Sequence, residues 1–256
     1  MSNEILLKTD DLAIQFGGIR AVDGVHLAVG AGQVVGLVGP NGAGKTTILN
    51  LIAGVYRPSA GTVRFAGERI DGLPPHAIAR SGIARTFQNI RLFQSLTVME
   101  HMKLAFDSAA TNLRLSLSFS KSNNQRSSTV MGSVESTLQQ FGLWEQRNRK
   151  ANELPYGLQR RLEIVRSLAL QPQLLLLDEP TAGMNHDETM EVAEIIRDLS
   201  ALGLGILLIE HNMPFVSRTC DRVVVVNFGK QITEGTPEEI RRHPRVLEAY
   251  LGEDHE

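Results

Sequence analysis

The chain has 256 residues and a formal net charge of −2; 42% of its residues are hydrophobic and 21% charged, with 23 glycines and 10 prolines. That composition excludes a collagen-like, coiled-coil or wholly disordered chain, and the length is enough to bury a large core. The near-neutral charge argues against an obligate nucleic-acid binder, and the one cysteine, Cys220, allows no internal disulfide, which suits a reducing compartment.

At the start, Glu4, Asp10 and Asp11 interrupt the apolar residues, which predicts neither a signal nor a transit peptide. Apolar runs stay well short of the roughly 18 to 20 residues that span a bilayer. The expectation is a cytosolic chain that meets a membrane only through a partner. Ile5–Phe16, residues 25–29 and residues 62–65 read as edge or antiparallel strands. Near-continuous Val, Ile and Leu at Val34–Val38, 83–87, Leu174–Asp178, 206–210 and 223–227 predict strands covered on both faces. A helix is expected over 188–202, where Val192, Ile195, Ile196, Leu199 and Leu202 recur at helical spacing and Gly203 supplies the stop.

Between Leu92 and Pro155 the pattern changes. Helical stretches at 98–106 and 130–141 flank a polar, serine-rich segment at 107–129. There Leu113, Leu115, Leu117 and Phe119 alternate with Arg and Ser as an edge strand would. The low apolar content favours a partly mobile surface insertion instead. The expected layout is an α/β fold with a mainly parallel sheet, interrupted by a mostly helical subdomain. The division reads 1–89 and 157–235 for the core, 90–156 for the subdomain and 236–256 for a helical tail.

Gly39-Pro40-Asn41-Gly42-Ala43-Gly44-Lys45-Thr46 matches G-x-x-x-x-G-K-[ST] between an apolar strand and a helical pattern. A polyphosphate needs many donors at close range. Glycines let backbone N–H groups turn inward, and a helix N-terminus adds a positive dipole end. Lys45 would reach the β- and γ-phosphates of a triphosphate and the Thr46 hydroxyl would ligate Mg²⁺, with Thr47 following in the helix. Leu174–Asp178, continued by Glu179 and Pro180, is an apolar strand ending in two acids. Asp178 would hold Mg²⁺ and Glu179 would act as general base on an attacking water.

With these two motifs the chain resembles the ATP-binding-cassette (ABC) ATPases over nearly its whole length. The resemblance implies a P-loop NTPase core of RecA-like type, with an N-terminal antiparallel β portion and an inserted helical subdomain. It implies that Phe16 stacks on adenine, the alternative being a core phenylalanine. Gln88 would contact Mg²⁺ and the attacking water at a hinge, and His211 would switch on the γ-phosphate. The signature that faces nucleotide in a second subunit would be Pro155, Tyr156, Gly157 and Leu158 after Leu154, with the helix beginning near Leu158. The family's usual Leu-Ser-Gly-Gly-Gln has a serine where Pro155 has neither hydroxyl nor N–H. Likewise Ala182-Gly183-Met184-Asn185 replaces the usual Ser-Ala-Leu-Asp, and Asn185 carries no charge.

Phe16-Gly17-Gly18-Ile19-Arg20-Ala21-Val22, the stretch from Arg85 to Phe93, Arg160-Arg161-Leu162-Glu163-Ile164 and the tail from Glu248 to Glu253 resemble the ATPase subunits of branched-chain amino-acid importers. That branch implies ATP and Mg²⁺ as cofactors, two transmembrane permease subunits and a second, identical or non-identical, ATP-binding subunit. A periplasmic substrate-binding protein follows indirectly, with no nucleic acid, and the chain would sit peripherally on the cytoplasmic face of the inner membrane. Residues 90–93 would line the groove that meets a permease. The alternatives are another transporter's ATPase, such as that of lipopolysaccharide export, a cassette working on DNA or ribosomes, or a non-hydrolysing nucleotide-gated module.

Overall fold

In a computed structural model of the chain, the residues described are 4–86, 88, 90–116 and 134–251. Two compact units emerge. Residues 1–85 and 173–256 form the first, and residues 86–172 the second.

The first unit opens with two long strands, β1 (Ile5–Phe16) and β2 (Ile19–Gly30), joined by a tight turn at Gly17 and Gly18. After β3 (Val34–Val38) and α1 (Lys45–Ile52) come β4 (Ala60–Phe65), β5 (Glu68–Arg69), α2 (Pro75–Arg80) and β6 (Ile83–Arg85). Strands β2-β1-β4-β5 make an antiparallel sheet. Expected segments 25–29 and 62–65 thus lie within longer strands, because hydrogen-bonded pairing extends past the apolar run.

The second unit follows in the chain. Its helix α3 (Val98–Ser116) is followed by helical residues 134–140 (α4) and by α5 (Tyr156–Ser167). Helix α3 outruns the expected 98–106 and carries Leu113 and Leu115, so a strand there is ruled out. The stretch has neither Gly nor Pro and is rich in helix formers. Thr97 and Glu100 start it with a reciprocal cap, the Glu100 carboxylate accepting from Thr97 N–H at 2.7 Å and Thr97 Oγ1 from Glu100 N–H at 3.2 Å. Leu117, Phe119 and the rest of the expected insertion lie outside the described residues.

Returning to the first unit, the chain adds β7 (Leu174–Asp178), α6 (His186–Ala201), β8 (Gly205–Ile209), α7 (Met213–Thr219), β9 (Arg222–Asn227), β10 (Lys230–Gly235), α8 (Pro237–Arg241) and α9 (Pro244–Leu251). These complete a sheet of order β10-β9-β3-β8-β7-β6, parallel except for β10. Every residue of β3, β7 and β8 is buried, which explains their unbroken aliphatic composition. Alternate residues, Val35 and Leu37, Leu174 and Leu176, Leu207 and Ile209, join α1 and the antiparallel sheet in one core. From α1, Ile48, Leu49, Leu51 and Ile52 enter it, each burial worth about 1.5–3 kcal/mol. Helix α6 begins two residues before the expected 188 because Asn185 and Glu188 form a capping box. Strand β8 ends at Ile209 rather than at Glu210.

Helix α5 falls in the second unit. This helix carries a buried ion pair. Arg160 and Glu163, 0% and 2% exposed, meet at 2.7 Å. Arg160 also donates to Gln88 O at 2.5 Å, and Glu163 accepts Arg91 N–H at 3.1 Å. Nearby, His101 is 1% exposed; Phe93 N–H donates to its Nε2 at 3.0 Å, which leaves Nδ1 as the donor to Thr97 O at 2.8 Å. Burial holds this imidazole below the usual histidine range.

Glu163→Ala should cost about 3–5 kcal/mol, read by denaturant titration, because it strands the buried guanidinium. An Arg160→Met, Glu163→Leu double variant should recover much of that loss. His101 adds a pH dependence. An unfolded chain takes up the histidine proton near pH 6.5 while the folded one resists it, so stability should fall as pH drops below about 6.5. The thermal midpoint of a His101→Gln variant should fall less over the same range.

Candidate nucleotide site

Strands β3, β8 and β7 are neighbours and parallel, so their carboxyl ends reach one edge of the sheet, with β8 in the middle. Ligand sites of open α/β sheets lie at such ends. Strand β3 delivers the 39–46 loop, β8 delivers Glu210 and His211, and β7 delivers Asp178 and Glu179.

Gly39 is buried at φ 155, and a Cβ there would lie 2.0 Å from Val226 O; at Gly44, φ 98, a Cβ would lie 2.5 Å from Ala21 O. Only glycine lets the loop pack this closely against β9 and β2. Lys45 is 8% exposed, and its ammonium donates to Gly39 O at 2.6 Å and Pro40 O at 2.7 Å, closing the loop around itself. Helix α1 starts at Lys45 without a side-chain cap and with no acid in its first turn. Pro40 and Ala43 are buried, Asn41, Gly42 and Thr46 are exposed, and Thr47 is half-buried. Backbone amides, an ammonium, hydroxyls and a helix dipole make a donor set that fits a polyphosphate. Thr46 and Asp178 provide oxygen ligands of the kind Mg²⁺ takes together with phosphate oxygens. Among the described residues, no three His, Cys, Asp or Glu side chains gather into a metal site on their own.

Asp178 is nearly buried and is gripped by a residue that motif reading passed over. Arg85, the last residue of β6, donates to Asp178 Oδ2 at 3.2 Å and to Asn50 Oδ1 on α1 at 2.6 Å. One guanidinium thereby joins the strand bearing the acid to the helix that follows the phosphate loop. The signal for it was a charged residue ending a buried strand, a pattern too common to single it out.

Glu179 has φ 47, a left-handed conformation that costs a non-glycine residue about 1–3 kcal/mol. Its N–H donates to Ile209 O at 3.0 Å. Glu179 Oε1 lies 3.9 Å from His211 Nδ1, and the imidazole is largely exposed. Glu210, missed as a site residue and 0% exposed, accepts the His211 N–H at 3.1 Å.

Phe16 closes β1 with 44% of its surface exposed, which excludes a core role; its ring meets the edge of Tyr56 at 5.1 Å and 72°. In the second unit, Gln88 is exposed. Pro155 is the N-cap of α5, which begins at Tyr156, two residues before the expected start near Leu158. The buried Gly157 therefore stands in the first turn, where no acid opposes an anion, and Tyr156 and Pro155 are exposed beside the half-buried Leu158. Asn185 spends its side-chain oxygen on the Glu188 amide as the cap of α6.

A family model described as ABC transporter matches residues 22–182, and another, described as branched-chain amino acid ATP-binding cassette transporter, matches residues 230–256. The high-affinity branched-chain amino acid transport ATP-binding protein LivG of Escherichia coli K12 is 44% identical over 250 residues, 97% of this chain and 98% of LivG. BraF of Pseudomonas aeruginosa, described in the same words, shows the same identity and coverage. The lipopolysaccharide export ATP-binding protein LptB of E. coli K12 is 36% identical over 97% of this chain and 98% of its own. Among solved structures, the ADP conformation of MJ1267, an ATP-binding cassette of an ABC transporter, superposes with a TM-score of 0.83 at 30% identity, covering 97% of this chain and 99% of that one. The chain belongs to the ABC transporter family, as one of its ATP-hydrolysing cassettes.

Proposed function

We propose that the chain is the ATPase subunit of an importer of branched-chain or related amino acids. The observation that carries this reading is end-to-end similarity to LivG and BraF at 44% identity, joined to the match at residues 230–256. LptB, at 36%, supports the lipopolysaccharide-export alternative less well.

The site geometry supports a concrete division of labour. The amides of residues 39–46, the α1 dipole and Lys45 take the phosphate tail of ATP, and the exposed Phe16 ring offers its face to adenine. Glu179, fixed in its left-handed turn, takes the proton of the attacking water, while His211 beside it holds the γ-phosphate oxygens. Thr46 and Asp178 would hold Mg²⁺, which when bound neutralises phosphate charge. Tyr156, Gly157 and the amino end of α5 present a positive dipole end to nucleotide on a second cassette. Losing the serine donor at Pro155 removes one charged hydrogen bond, worth about 1.5–3 kcal/mol, from that contact. This weakens closure of the pair and leaves the hydrolytic residues intact.

In this reading two permeases and a second ATP-binding subunit complete the machine, fed by a periplasmic binding protein, and the chain works at the cytoplasmic face of the membrane. Among the described residues no helix is long and apolar enough to cross a membrane. Phe93, 56% exposed next to the nearly buried Leu92, gives the second unit an apolar contact for a permease.

Lys45→Ala should weaken ATP binding by about 10- to 100-fold in a fluorescent-nucleotide titration. Glu179→Gln should bind ATP normally, lose about 10²- to 10⁴-fold in phosphate release, and accumulate an ATP-bound dimer on size exclusion. Reconstituted with its permeases, the chain should hydrolyse ATP faster when a binding protein loaded with leucine, isoleucine or valine is added. Stimulation by lipopolysaccharide instead would favour the alternative.

A further inference from the structure

We propose that Glu210 is a positioning residue of the hydrolytic site, its buried carboxylate clamping the turn after Glu179 to the turn that carries His211. The inference rests on the roles proposed above for those two residues. Glu210 follows the last ladder residue of β8 and is 0% exposed. Burying a carboxylate is costly unless its oxygens are hydrogen-bonded. Here both are engaged, and each by a different segment. Oε1 accepts from Thr181 N–H at 3.0 Å and from Thr181 Oγ1 at 2.5 Å. Oε2 accepts from His211 N–H at 3.1 Å and, more weakly, from Asn212 N–H at 3.5 Å.

Thr181 stands two residues beyond Glu179, so the first oxygen holds the turn that aims the general base. The second oxygen holds the main chain of His211 itself. A further link between the same turns runs from Glu179 N–H to Ile209 O at 3.0 Å. With both turns held, Glu179 Oε1 lies 3.9 Å from His211 Nδ1, and that nitrogen lies 3.9 Å from Glu210 Oε2 as well. The chemistry also dictates the residue type. Four donors converge on this point, and only a group that accepts at two oxygens satisfies them. A glutamine would turn an N–H₂ toward one pair of donors.

The test measures phosphate release as kcat and KM for ATP, nucleotide binding and thermal unfolding on the full chain, with Lys45→Ala and Glu179→Gln as references. Glu210→Gln is expected to lower kcat by about tenfold or more while ATP affinity stays within about twofold. Thr181→Val, which removes one donor and leaves Glu210 in place, should lower kcat by about threefold or more, and Thr181→Ser should restore it. Should Glu210→Gln fail to fold, the Thr181 pair decides the matter. A Thr181→Val variant with wild-type kcat overturns the proposal, as does a Glu210→Gln variant whose ATP binding falls in step with its rate. If Glu179→Gln itself hydrolyses ATP at the wild-type rate, the assignment of the site falls, and with it this inference.

Discussion

A parallel ladder sends the carboxyl ends of all its strands to the same edge, and the hydrogen bonds joining β3, β8 and β7 are the constraint on which this molecule turns. The 39–46 loop, His211 and the two acids Asp178 and Glu179 come from distant parts of the chain. They converge because Val34 to Leu37 pairs with Ile206 to Ile209, and Leu174 to Asp178 with Gly205 to Ile209. A one-residue slip in either pairing would invert the faces of a fully buried strand, so the aliphatic core enforces the register and the register places the chemistry.

The ladder brings the pieces near one another, and polar clamps set their spacing. Lys45 folds the 39–46 loop back on its own carbonyls, Arg85 joins Asp178 to α1, and Glu210 bridges the turns that follow the adjacent strands β7 and β8. Each buries polar or charged groups and engages donors or acceptors from another segment of the chain. A network of this kind contributes specificity of geometry more than net stability.

How much of this could be read from the chain follows from where the information lies. The G-x-x-x-x-G-K-T run and the apolar strand ending in Asp178 and Glu179 are local patterns with local causes, but the strands that carry them are not neighbours: β8 lies between β3 and β7. Arg85 and Glu210 were invisible for the opposite reason. A charged residue at a strand end looks the same in sequence whether it faces water or grips a partner 93 or 29 positions away. The length of α3 was underestimated because its apolar periodicity fades after 106 while its helix propensity does not. Helix α5 starts two residues ahead of Leu158 because Pro155, with an extended ψ of 151°, is a competent N-cap.

The buried pair on α5 has a consequence for how such a cassette can diversify. Arg160 takes hold of residue 88 by its carbonyl, and Glu163 takes hold of residue 91 by its amide. Neither grip depends on which side chains stand at those two positions. Mechanical attachment and surface character are therefore separable along this stretch. Replacements that recut its outer face for a different membrane companion leave its tether to the helix unchanged, so one drive shaft can be fitted to many couplings.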